Sequence, residues 1–235
     1  MLGPTDFTAV PVLAAWDETP ALRGIRLLLP PPPARAHARP GQVVKVRAAG
    51  GEGFFALATA PGPAGTPAEL LVKRGHRVAD GVAGAVAGGT LEVTEPFGKG
   101  FPVEDAEGRD VLLFAAGSGI APIRSLVQDV IARRDAFRRV TLFYGQRRGG
   151  EFAYRAEHVE WERRGVRVVL CPSAEDEAWL GVRGRVQEVA RSLAFGGIAP
   201  EGAVAFVVGM TSMVDDVKRT LAQAGVPPER VHLNF

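Results

Sequence analysis

Apolar residues along this chain follow two different rhythms. Through residue 104 they come in short runs, "VPVLAAW", "IRLLL", "VVKVRA", "FFALAT", "ELLVK" and "TLEVTE", separated by stretches rich in Pro and Gly. Runs of that length between turn residues predict strands, and their succession predicts a small antiparallel barrel. From residue 105 the rhythm changes. Strands are predicted at 111–116, 140–144, 166–170, 203–209 and 231–235, and helices at about 122–134, 153–164, 185–193 and 212–224. Strict strand-helix alternation implies right-handed crossovers and a parallel sheet with helices on both faces. The chain therefore divides into 1–104 and 105–235. The stretch "PPPPARAHARPG" (30–41) is too rich in Pro for a strand and predicts an exposed polyproline connector.

The first strand of the second half runs into "FAAGSGIAPIRSLV", where Gly117, Ser118 and Gly119 precede Ile120, Ala121 and Pro122. Glycine permits positive φ and close backbone approach, and Pro suits a first helical turn. A helix N-terminus there offers free N–H groups and a positive dipole end to a pyrophosphate. The same residues also suit a tight strand-to-helix connection with no ligand, so the turn alone leaves both readings open. No G-x-x-x-x-G-K-[ST] occurs, Pro122 stands at the third glycine of G-x-G-x-x-G, and "FYGQRR" lacks an acid for a ribose.

Composition narrows the classes. With 235 residues and 46% hydrophobic residues, the chain can bury a full core. Lys plus Arg number 28 against 26 Asp plus Glu, so no broad basic field exists for nucleic acid or an anionic membrane. A single Cys171 forms no internal disulfide, redox pair or iron-sulfur cluster, which points to the cytoplasm and to an inert packing role for the thiol. No signal peptide or membrane span is read, because long apolar runs are broken by Gly, Pro or charge. The four His have no metal-ligand spacing, so no metal is expected.

Four stretches in order, "RPGQVVKV", "FFALATAP", "EPFGKGF" and "AAGSGIAPIRSL", resemble the landmarks of the ferredoxin-NADP reductase-like flavoproteins. "LFYGQRR", "WLGVRGRVQEV" and the C-terminal stretch from Val207 extend the resemblance over nearly the whole chain. It implies a six-stranded antiparallel flavin-binding barrel, then a parallel-sheet α/β domain that binds NAD(P)H. It also implies an oxidoreductase in which hydride passes from nicotinamide C4 to N5 of FAD, rather than FMN, and on to an unidentified acceptor, a protein among the candidates. Such transfer needs two rings face to face at about 3 to 3.5 Å and little acid-base machinery. No catalytic side chain is therefore singled out.

The resemblance assigns roles position by position. Where relatives carry Arg-x-Tyr-Ser, this chain has Gly53, Phe55 and Ala56; Phe55 packs on the ring, and the backbone of Leu57, Ala58 and Thr59 meets its polar edge. The second phosphate loop has Val78 and Ala79 without a hydroxyl, and Arg74 or Arg77 is either a replacement charge or a solvated arginine. Gln146 and Arg147, Ser173, and Gly209 with Met210 and Met213 fall at the dinucleotide side. Phe235 either stacks beside the flavin or packs as an ordinary strand residue. In "LCPSAEDEAW", Ala174 stands where an arginine usually receives the 2′-phosphate, and Glu175, Asp176 and Glu177 follow. That implies NADH over NADPH by roughly tenfold or more, unless Arg147 or Arg148 reaches the phosphate. The missing Arg, hydroxyl and Cys also suit two rivals: an electron-transfer or regulatory subunit, and a nucleotide-binding module that has lost flavin.

Overall fold

The computed structural model describes residues 3–30, 36–63 and 65–234. Residues 31–35 of the polyproline stretch and Phe235 lie outside them. Six strands form the first sheet: β1 (Thr8–Thr19), β2 (Leu22–Leu27), β3 (Val43–Ala48), β4 (Gly51–Ala56), β5 (Ala68–Lys73) and β6 (Thr90–Val93). They pair antiparallel in the order β4-β3-β6-β1-β2-β5, and a bridge from Leu57 to Leu70 joins the two edges. The barrel is thereby closed. Val10, Val12, Ile25, Leu27, Val44, Val46, Leu70 and Val72 fill it, each second or third residue along its strand turning inward as the pleat requires. Helix α1 (Arg77–Ala83) sits at one end, close enough that a Cβ on Gly81 would lie 2.2 Å from the Ala49 carbonyl oxygen.

The second sheet is parallel, in the order β11-β10-β7-β8-β9. Its strands are β7 (Val111–Ala116), β8 (Val140–Gln146), β9 (Val166–Pro172), β10 (Val204–Val208) and β11 (Val231–His232). The predicted final strand 231–235 is thus only two residues long. Helices α2 (Ile120–Ala132) and α3 (Arg155–Arg163) cover one face, and α4 (Val186–Ser192) and α5 (Thr211–Gln223) the other. This explains the unbroken apolar run of β7: Val111, Leu113 and Ala115 pack on one side, Leu112 and Phe114 on the other.

The two sheets share a core. Leu22, Ala58, Leu71 and Phe101 belong to the same buried cluster as α2 and β7, with Phe101 edge-on to Phe206 at 5.4 Å. Polar ties run beside it. Arg124 of α2, only 8% exposed, places Nη1 2.8 Å from Glu69 Oε2 of β5 and donates from Nη1 to the Ala58 carbonyl at 2.8 Å. Its Nη2 reaches Glu157 Oε1 of α3 at 2.8 Å, and its guanidinium lies over the Tyr154 ring at 4.6 Å. Ala60 N–H donates to Gln128 Oε1 at 2.9 Å, and Tyr154 N–H to Glu18 Oε1 at 2.5 Å.

Two outcomes are expected. Arg124→Met takes the interdomain partner from the Glu69 carboxylate, 4% exposed, but leaves it Arg26 at 2.6 Å, and should cost about 2 kcal/mol in urea denaturation at pH 7. An unchanged midpoint would mean the sheets are held by the apolar cluster alone. His158 is buried against Trp161 and Tyr144, and burial lowers its pKa from 6.5 to about 4. The unfolded chain therefore binds the proton first as pH falls. The stabilisation is complete above 6.5, is lost progressively down to about 4, and amounts to about 2 kcal/mol between pH 7 and 5. Denaturation at both pH values should show a smaller drop for His158→Gln.

Candidate functional site

The sheet order reverses between β7 and β10, and the crevice outside the carboxyl ends of parallel strands at such a point is where ligands bind in open α/β sheets. The glycine turn stands over it. Gly117–Gly119 forms one 3₁₀ turn leading directly into α2, whose thirteen residues give a full helix dipole. The two glycines serve different needs. Gly117 has φ +59 with open space at its Cβ position, whereas Gly119 has φ −61, and a Cβ there would lie 2.6 Å from the Val208 carbonyl oxygen. The expectation that both supply permissive φ holds only for Gly117; Gly119 is needed for close packing of the helix start on β10.

Tyr144 holds the turn from below. Its hydroxyl donates to the Gly117 carbonyl at 3.3 Å and accepts from Gln146 Nε2 at 2.8 Å and Ala153 N–H at 3.3 Å. Burial raises the phenol pKa, so the hydroxyl stays a neutral donor. Sequence reading missed this residue, whose only signal is a polar atom in an otherwise apolar strand.

A cavity of about 1110 Å³ opens between this crevice and the barrel. Of the residues expected at the site, it brings together Phe55, Ala56, Gly117, Ser118, Gly119, Ala121, Pro122, Gln146, Arg147, Ser173, Gly209, Met210 and Met213. It also gathers Lys73, Arg185, Gln187, Asp216 and Asn234, which the sequence did not mark. Gly209 lets Met213 pack closely, a Cβ there lying 2.7 Å from its Sδ, so Met213 is a buried wall and Met210 an exposed one. Cys171 lines the cavity but is buried, its thiol pushed up to about 12, which suits packing and not nucleophilic attack.

Other expected residues are elsewhere. Leu57 and Ala58 are fully buried and their N–H groups donate to Gln42 and Glu69 carbonyls, so they have no free edge to offer a ligand. Thr59 accepts from Glu69 N–H through its hydroxyl, and Ile120 is core. Arg74 donates to the Pro20 carbonyl and to Asp17, Arg77 is solvated outside the cavity, and Val78 and Ala79 pack on the barrel. Phe235 lies outside the described residues. The acidic run is also turned away: Asp176 accepts from Gly149 N–H at 2.9 Å and Ala178 N–H at 3.2 Å, while Ser173 and Ala174 line the cavity beside Arg147 and Arg185. Among the described residues no group of three His, Cys, Asp or Glu is arranged for a metal, and no helix is long and apolar enough to cross a membrane.

The model of the oxidoreductase NAD-binding domain matches residues 113–219, which contain the glycine turn and the whole crevice. Over the full length, the fold superposes on a ferredoxin-NADP+ reductase from Neisseria gonorrhoeae with bound FAD and NADP, at a TM-score of 0.82 and 19% identity, covering 99% of this chain and 100% of that one. The fold of the whole chain is therefore that of the Neisseria reductase, and residues 113–219 match an oxidoreductase NAD-binding domain. The ferredoxin reductase in carbazole 1,9a-dioxygenase superposes at 0.81 with 24% identity, covering 100% of this chain and 70% of that one. Among curated proteins, sulfhydrogenase 1 subunit gamma of Pyrococcus furiosus is 32% identical over 64% of this chain and 52% of its own length. The reductase component of phenol 2-monooxygenase from a Pseudomonas species is 29% identical over 77% and 52%. The chain thus spans about half the length of these two relatives.

Gly119→Val should weaken NADH binding at least tenfold, because its side chain must push the α2 N-terminus off Val208. Fluorescence titration of NADH into the folded variant checks it. Undiminished affinity would mean that the turn is only a connection.

Proposed function

We propose that this chain is an NAD(P)H-dependent flavin oxidoreductase that delivers electrons to a separate acceptor. The carrying observation is the single cavity wall-to-wall arrangement: the glycine turn and helix start of the NAD-binding domain on one side, Phe55, Ala56, Leu22 and Leu71 of the barrel on the other. In this reading 1–104 is the flavin-binding half and 105–235 the nucleotide-binding half. The apolar barrel wall fits the ring of a flavin; the FAD in the Neisseria protein supports FAD here. A flavin bound there supplies acceptance of hydride from the reduced nicotinamide and onward release of electrons singly or in pairs.

The chain's own residues orient and exclude water. The α2 N-terminus and the Gly117–Gly119 backbone receive the dinucleotide diphosphate, Tyr144 fixes the turn, and Met213 and Gly209 close the floor. No proton donor is required at the cavity, which agrees with a buried, neutral Tyr144 and Cys171. NADH remains the favoured nucleotide on Ala174 alone. Because Asp176 is bound to Gly149 and Arg147 lines the cavity, the preference falls below the tenfold that an acidic run would impose.

A second reading has support in the short coverage of the relatives, two of which are a subunit and a reductase component by name. In it the chain is an electron-transfer subunit that turns over only with a protein partner. Its single Cys suits the reducing cytoplasm. Flavin-loaded protein mixed anaerobically with NADH separates the two: bleaching of the yellow colour by the chain alone supports an autonomous reductase, whereas persistent colour supports the subunit. The same titration with NADPH should give an apparent Kd higher by less than tenfold, and Arg147→Ala should widen the gap.

A further inference from the structure

A dinucleotide flavin has two halves with opposite demands. Its ring needs an apolar wall, while its diphosphate needs cations or converging N–H groups, because charge-assisted hydrogen bonds must replace lost hydration. The barrel meets the first demand and not the second. Phe55, Ala56, Leu22 and Leu71 line the cavity. The barrel's cations are mostly turned elsewhere: Arg74 lies 2.5 Å from Asp17 and donates to the Pro20 carbonyl at 3.0 Å. Arg23 pairs with the same Asp17, and Arg47 and Lys45 with Glu52.

The position on β4 without a side chain is not an open socket either. A Cβ on Gly53 would meet Val78 Cγ1 at 3.0 Å and Phe55 Cε2 at 3.1 Å, so two apolar side chains have closed over the space beside the ring wall. Nor is the start of α1 a strong anion site. That helix has only seven residues, too few for a full dipole, and the carboxylate of Asp80, which accepts from Gly75 N–H at 2.9 Å, places negative charge in its first turn. Among the described barrel residues that line the cavity, Lys73 is the one cation, and it is exposed.

We infer that this chain recognises flavin by its ring and not by its diphosphate, so that riboflavin, FMN and FAD compete for the barrel wall with similar affinity and exchange from it. The inference rests on the flavin reading above and specifies what part of the flavin is held. An exposed lysine facing a phosphate separates FMN from riboflavin by no more than about fivefold.

The test is direct titration of the full chain with riboflavin, FMN and FAD at the same ionic strength, followed by flavin fluorescence and by calorimetry. The three dissociation constants should agree within about tenfold, and Lys73→Ala should change none of them by more than about fivefold. FAD binding more than tenfold tighter than riboflavin, or a more than tenfold loss of FAD affinity in Lys73→Ala, would overturn ring recognition while leaving the flavin reading intact. Binding of none of the three by protein that still binds NADH would overturn both.

Discussion

The guanidinium of Arg124 is the tie on which the geometry of the cavity depends. It leaves the helix that begins at the glycine turn, crosses to the barrel carboxylate of Glu69 and the Ala58 carbonyl, and returns to Glu157 of its own half. A buried charge with so many fixed partners is costly to misplace, because the guanidinium itself would lose its compensating hydrogen bonds in a poorly hydrated interior. The apolar cluster around Phe101 and Phe206 supplies attraction between the halves, but apolar contact alone is weakly directional. Arg124 adds the direction, and with it the distance between the helix start and the Phe55 wall.

The cavity so formed is poor in proton chemistry. Burial holds the Cys171 thiol in its neutral form, the carboxylate of Asp216 is engaged by Arg185, Arg219 and Gln187, and Glu151 is the remaining carboxylate of the lining. What the walls offer is shape, one helix dipole and a few exposed cations. Chemistry that proceeds by alignment of rings is compatible with such a surface.

Much of this architecture was legible in the sequence because burial leaves a periodic mark. Val10 and Val12, or Ile25 and Leu27, alternate with exposed neighbours, and the unbroken run of β7 announces a strand covered on both faces. The glycine turn was legible too, although the reason for Gly119 was not: its need arises from the carbonyl of Val208, far away in the chain. Arg124 read as one more helical position in "APIRSL", since its partners lie on β5 and α3. The acidic run misled for the same reason. Composition records charge, but the direction in which Asp176 points is set by the N–H of Gly149, which only the folded chain brings near. Leu57 and Ala58 likewise spend their N–H groups on closing the barrel, a demand invisible in a local stretch.

The hydrogen bond from Tyr154 N–H to Glu18 has a mechanical meaning. Tyr154 is held at φ +59, a conformation uncommon for a side chain of that size, and together with Arg124 and the Gln128 contact it fastens the back of the cavity at three separate points. Three ties resist a swing of one half against the other, so the width of the cavity is fixed by the fold itself, and the segment from Ser173 to Arg185 borders it with both its ends.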